Sequence, residues 1–192
     1  MIRIVAGAAI LLFLTSGQAS AGYEDLAWRA PYRVVKRSFP GISRVRDLCY
    51  FEGVNLFGQD SLVVFEEKQP LDGVRRRLFV FQQGKLVAVE MQYDNSAVTD
   101  SLFQYSIIEP LVQKYGKKKM KYKQERNRTK ENKYFIWDQK DDIIVAVYGH
   151  FKKVSPDNLD WVRVKYYDKD YYYQCGTGDQ RASKRAGGRI YF

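Results

Sequence analysis

One run constrains the fold more than any other. TDSLFQYSIIEPLVQKYG, residues 99 to 116, lies between segments that alternate apolar and polar residues in the manner of strands. Leu102, Tyr105, Ile108, Val112 and Tyr115 recur at helical spacing, with Phe103, Ile107 and Leu111 beside them, a broad apolar face suited to covering a sheet. Asp94-Asn95-Ser96 supply turn and cap chemistry before the run, and Gly116 is the expected terminator, with lysines beyond it facing the negative end of the helix dipole. Pro110 disagrees with a regular helix. It removes the hydrogen bond to the Ser106 carbonyl and crowds it, at about 3 kcal/mol in a helix interior, so the helix either kinks there or divides into two shorter pieces.

Around this run the pattern is mostly β. Residues 28 to 41 read as a short amphipathic helix with Pro31 in its first turn, Val34, Val35 and Phe39 on its apolar side, and Pro40-Gly41 as its stop. Strands follow at RVRDLCYFEG and at Ser61 to Lys68, then a turn at Gln69 to Gly73. The clearest hairpin spans residues 75 to 94 and turns at Gln83-Gly84-Lys85. Beyond the helix, KKKMKYKQERN, NKYFIWDQ, DDIIVAVYGHF and DWVRVKYYDKDYYYQC read as three or four antiparallel strands. The expected fold is therefore α+β: an antiparallel sheet of about six to eight strands, a central helix packed on one face and a short N-terminal helix. Residues 78 to 93 and 134 to 149 share an aromatic strand, a polar turn and an apolar strand, a hint of an internal repeat.

The first residues predict export. A charged start at Met1 to Arg3, an apolar run from Ile4 to Leu14 and the small-x-small site Ala19-Ser20-Ala21 have the form of a signal peptide, residues 1–21. The apolar run is shorter than the roughly 20 residues of a membrane-spanning helix, so no anchor is expected in the mature chain. One domain over residues 22–175 and a flexible tail over 176–192, rich in Gly, Ser, Lys and Arg, complete the organisation. In an oxidising compartment the two cysteines, Cys49 and Cys175, are expected to form one disulfide. A reactive cysteine would need a C-x-x-C partner or a nearby base, and the chain has a single histidine, His150.

These segments resemble a broad group of uncharacterised exported bacterial proteins. The shared motifs are a tryptophan followed by a short helix ending in Phe-Pro (Trp28, Phe39-Pro40), a Gly-Lys-Leu hairpin (Gly84-Lys85-Leu86), a helix ending in Lys-Tyr-Gly (Lys114-Tyr115-Gly116) and a strand bearing Trp137. The resemblance covers residues 28 to 168 and consists of caps, turns and core aromatics. It implies an exported α+β fold and brings no catalytic residues.

Charge is the most distinctive chemical feature. The formal net charge of the chain is +10, and residues 114 to 133 alone carry ten Lys or Arg against Glu125 and Glu131. Lys117, Lys118, Lys119, Lys121, Lys123, Arg126 and Arg128 are the expected contacts to an anionic lipid, a glycan or an acidic protein surface. Nucleic acid would suit the charge but not the compartment. The competing reading is a solvated strand whose lysines keep a sheet edge from pairing. Arg75, Arg76 and Arg77 could likewise grip an anion or merely guard a strand end, and the tyrosines at 166, 167 and 171 to 173 could stack on a ligand or pack at a sheet rim.

The sequence has no metal-ligand spacing around His150, no G-x-S-x-G elbow and no phosphate-cradling glycine loop. The expectation is a periplasmic binding or interaction module with no cofactor, metal or catalytic residue. The alternatives are an enzyme whose site is assembled from residues distant in sequence and, because the chain ends in Arg189-Ile190-Tyr191-Phe192, a small outer-membrane barrel.

Overall fold

The computed structural model describes residues 22–45, 62–93, 99–152 and 159–174. The leader, the tail and both cysteines of the expected disulfide, Cys49 and Cys175, lie outside the described residues. The fold is α+β, with an eight-stranded antiparallel sheet and helices on its faces.

A small hairpin of β1 (Gly22–Tyr23) and β2 (Leu26–Ala27) leads into α1 (Tyr32–Ser38). The sheet then builds from β3 (Ser43–Arg44), β4 (Leu62–Leu71), β5 (Val74–Gln82) and β6 (Lys85–Tyr93). A helical stretch follows, made of α2 (Asp100–Phe103), a π-helical turn (Gln104–Ile108) and α3 (Glu109–Tyr115). After a 3₁₀ turn (Lys117–Lys119) come β7 (Met120–Arg126), β8 (Lys130–Asp138), β9 (Asp142–Phe151) and β10 (Trp161–Asp168).

The strand order is β3-β4-β5-β6-β10-β9-β8-β7. Each half is a meander preceded by a helix, and the two halves meet where β10 pairs antiparallel with β6, Lys165 opposite Glu90. The mirrored order sets β5–β6 against β9–β10, so the expected repeat is displaced by one strand. Among the described residues the strand order ends at β3 and β7, which do not pair with each other as the edge strands of a closed barrel would.

Both helical regions cover the same face, and Tyr93 and Tyr166 pack against the two clusters beneath them. Val35 of α1 is fully buried with Phe79, Phe81, Leu86 and Val89. Phe103, Ile107, Ile108 and Leu111 settle on Phe135, Trp137, Ile144, Ala146, Val162 and Val164. Thus the face expected to lie under one central helix is divided between two. The helical stripe also differs from the expected one: Leu102 is 44% exposed and Tyr105 68% exposed. The cause is the π-helical turn. The Glu109 amide donates to Gln104 five residues back, and the extra residue in that turn lets Phe103, Ile107 and Leu111 share the inward side.

The same turn resolves Pro110. It stands in the first turn of α3, where a missing N–H is tolerated, so the run divides into helical pieces at the π turn. Thr99 caps α2, its hydroxyl accepting from the Leu102 amide at 3.2 Å, and Gly116 ends α3 at φ 85°.

Register shifts set the strand faces. β4 continues through the expected turn at Gln69 with an irregular register between Lys68 and Leu71, leaving the turn itself to Asp72-Gly73. On β6, Val80 pairs with Ala88 and Phe81 with Leu86, so Val87 is the extra residue and Leu86 and Val89 reach the helix-covered face together. The intervening turn carries positive φ at both Gln83 (50°) and Gly84 (73°), the requirement of a two-residue hairpin matched to strand twist.

The opposite face holds two apolar clusters. Leu62, Val64, Leu78, Val80, Val87 and Ala88 pack around Tyr171, while Tyr134, Ile143, Val145 and Val147 pack near Trp161, Tyr167 and Tyr172. Residues 169–174 are helical, which corrects the expected strand through the tyrosine run. The physical reason is Asp168, whose carboxylate accepts from the Asp170 amide at 2.9 Å and the Tyr171 amide at 3.3 Å and so starts a helix. No helix among the described residues is long and apolar enough to cross a membrane.

Candidate functional site

The basic residues named from the sequence are brought together along one edge. Gly116 releases the chain from α3, Lys117 to Lys119 form the 3₁₀ turn, and β7 runs outward along β8 as the last strand of the sheet. Lys121, Lys123 and Arg126 lie on β7 and Arg128 in the turn after it. Asn127 shapes that turn, its side-chain oxygen accepting from the Thr129 amide at 2.9 Å and the Lys130 amide at 2.7 Å. All seven cationic residues are exposed.

Their charges are only partly neutralised. Lys123 pairs with Glu125 at 2.6 Å, Arg126 with Glu131 at 2.8 Å, and Lys119 donates to the Gln139 side chain at 3.1 Å. Burial works to raise the Glu131 pKa, but hydrogen bonds from Gln124 and Arg126 outweigh it and hold the carboxyl below its ordinary value. Lys117, Lys118, Lys121 and Arg128 make no ion pair among the described residues. Alternation directs Met120 and Tyr122 to the helix-covered side, where Met120 is partly buried and Tyr122 lies 5.1 Å from the Phe135 ring while remaining 51% exposed. Lys123 lies on the other side, 6.0 Å from the Tyr134 ring centre.

The arginine triplet is not one cluster: Arg76 and Arg77 point to opposite faces, and the register shift between Val74 and Arg76 leaves Arg75 beside Arg76. Arg77 is buried, 4.9 Å from the Phe39 ring and 5.6 Å from the Tyr23 ring, with Glu24 at 3.5 Å and Glu67 at 3.7 Å. Arg76 faces the other way and donates to Gln92 at 2.7 Å. Arg75 is exposed beside it and lines, with Glu66, Lys68, Asp72 and Arg76, a groove of about 1020 Å³ at the β4–β5 hairpin.

Two polar constellations were not visible in the sequence. The first crosses four strands: Glu66 lies 3.9 Å from Arg76, Gln92 donates to Glu90 at 2.6 Å, and Glu90 lies 3.6 Å from both Arg163 and Lys165. Its signal was Glu90 and Gln92 alternating with apolar Val89 and Met91, which marks a polar row but not its partners. The second is at the end of β9. Asp160 accepts from the Tyr148 hydroxyl at 2.6 Å, His150 Nδ1 at 2.9 Å and the Phe151 amide at 3.1 Å. Burial raises the Asp160 pKa, yet these donors more than compensate and hold it low, while burial and the adjacent carboxylate push the Tyr148 hydroxyl up. Asp160 thus orients the imidazole and leaves Nε2 as its other polar atom.

The tyrosine run is largely structural. Tyr171 is buried in the core of the second face, Tyr172 packs at 5.3 Å from Tyr167, and the Tyr173 hydroxyl donates to Asp138 at 2.9 Å. Among the described residues no group of three or more His, Cys, Asp or Glu side chains could hold a metal ion. No family model, curated protein or solved structure matches the chain.

Proposed function

We propose that the protein is an exported, periplasmic binding module whose basic edge contacts an anionic envelope component, with an acidic protein surface the favoured partner over lipid or glycan. One observation carries the reading: the exposed cations gather on β7 and its flanking turns, and Lys117, Lys118, Lys121 and Arg128 make no ion pair among the described residues. Such a segment attracts polyanions over about 10 Å at 0.1 M salt and draws on charge already concentrated in the sequence. A protein partner is favoured because the cations line an edge strand rather than a broad flat face.

Charge reversal at Lys117, Lys118, Lys121 and Arg128 is the test, with pull-down from an envelope extract across a salt series. Binding that weakens with salt and disappears on reversal supports the reading. Binding unaffected by either change overturns it.

A second reading, an enzyme with a site assembled from distant residues, is favoured by the oriented His150–Asp160 pair, since a carboxylate on Nδ1 is how a general base is commonly held. Turnover on a panel of ester, amide and phosphoester substrates, lost in H150A and retained in the charge-reversed chain, would select it.

A further inference from the structure

The backbone of β7 defines the partner more closely than its charge does. The Asn127 amide bonds the Lys130 carbonyl at 2.9 Å, making that pair hydrogen-bonded. Antiparallel pairs alternate between hydrogen-bonded and non-hydrogen-bonded, so Glu125–Asn132, Lys123–Tyr134 and Lys121–Ile136 bond inward to β8. The amides and carbonyls of Met120, Tyr122, Gln124 and Arg126 therefore point away from the sheet, at its last strand.

We infer that β7 is a docking edge for an extended acidic peptide, which adds to the sheet as an antiparallel ninth strand. This rests on the proposed binding function and names the form of its partner. The side chains dictate the peptide's pattern. Residues opposite Lys121 and Lys123 occupy non-hydrogen-bonded pairs, where cross-strand side chains are closest, and carboxylates there meet the lysines. Residues on the other face meet Tyr122 and Met120, which offer a half-exposed ring and a partly buried thioether to an apolar side chain. The complementary segment alternates acidic and apolar residues over about the length of β7.

Charge also argues against a second copy as occupant. Edge-to-edge pairing of two chains would bring together two segments each carrying ten cations against two glutamates. Lysines on an edge deter self-association for this reason, and the same lysines reward an acidic strand.

The probe is a capped seven-residue peptide alternating Glu and Val, compared with a scrambled peptide of the same composition and with one N-methylated on the amides that would face β7. The full mature chain should bind the first in a salt-dependent manner, and the other two about tenfold or more weakly. Binding should slow hydrogen exchange at the Tyr122 and Gln124 amides, while the Lys121 and Lys123 amides are protected already. Q124P removes one outward N–H while keeping the charge and the inward backbone bonds of Lys123 and Glu125, and should weaken the alternating peptide to a similar extent. Q124A, which loses only the side-chain hydrogen bond to Glu131 and keeps that N–H, should bind as the unaltered chain does.

Equal binding of the alternating and N-methylated peptides refutes strand addition. If that binding still falls with salt, the broader reading of a basic contact survives. If neither peptide nor anionic vesicles nor polyphosphate binds, both readings fall. Protection of Tyr122 and Gln124 in a peptide-free dimer would give the edge to a second copy and overturn the inference.

Discussion

Phe103 and Tyr105 provide the sharpest test of the helical register. Phe103 is fully buried, stacked 5.4 Å from Tyr148 and edge-on to Phe135 at 5.7 Å, whereas Tyr105 is 68% exposed. Truncating a core phenylalanine costs about 3–5 kcal/mol, from lost burial and the cavity left behind. F103A should therefore remove about 4 kcal/mol, a large part of the roughly 5–15 kcal/mol that holds a domain together. With an m-value of about 2 kcal/mol per molar in urea, the unfolding midpoint should fall by about 2 M. Y105A should move it by no more than about 0.25 M, since exposed substitutions stay within about 0.5 kcal/mol. Unfolding followed by circular dichroism on both variants measures the difference. Equal losses would refute the π-helical register and restore the regular stripe in which Leu102 and Tyr105 face the sheet.

Other consequences are equally open to measurement. A Cβ on Gly149 would lie 2.2 to 2.6 Å from Trp161 ring atoms, so G149A should displace the indole, lower stability by about 1–3 kcal/mol and change tryptophan fluorescence; an unchanged spectrum and midpoint would contradict the packing. P110A should not yield the gain of about 3 kcal/mol expected on removing an interior helix proline, and instead should cost about 0.5–1 kcal/mol through a freer unfolded chain, read from the urea midpoint. Asp138 is held below its ordinary pKa by the Lys169 hydrogen bond and, against burial, by Tyr173, while Asp160 is held low by its three donors despite burial. Because both folded values lie below the unfolded value of about 3.9, their stabilisation is present above that pH and lost as pH falls through the folded values. The paired D138N and D160N substitutions should flatten the acid limb of a stability–pH curve; an unchanged limb would reject that assignment.

The sheet was legible in the sequence wherever one residue type settled the geometry. Gln83-Gly84 announced a hairpin over 75 to 94, Gly116 ended a helix, and an aromatic run, a polar turn and an apolar run over 134 to 149 marked paired strands. Features that depend on one extra residue were hidden, because the Val87 bulge and the π turn each shift a face without changing composition. Asp168 was equally concealed: its cap turns a tyrosine run from strand to helix, against tyrosine's own preference for strands. The basic edge was readable as a charge run, and the structure adds its position at the end of the sheet. The Asp160 contacts and the polar row through Glu90 required cross-strand register, which a single sequence does not contain.

The seam between β6 and β10 has a consequence for how the molecule is made. β10 is the last of the described strands to be synthesised, yet it enters the middle of the sheet between β6 and β9. At about 5–20 residues per second, β6 waits several seconds for its neighbour, with the apolar stretch Leu86 to Val89 along an open edge. During that interval the nascent chain is two unjoined half-sheets, vulnerable to strand capture by other chains. A stop before Trp161 would not trim this protein at one end; it would remove the piece that makes two halves one.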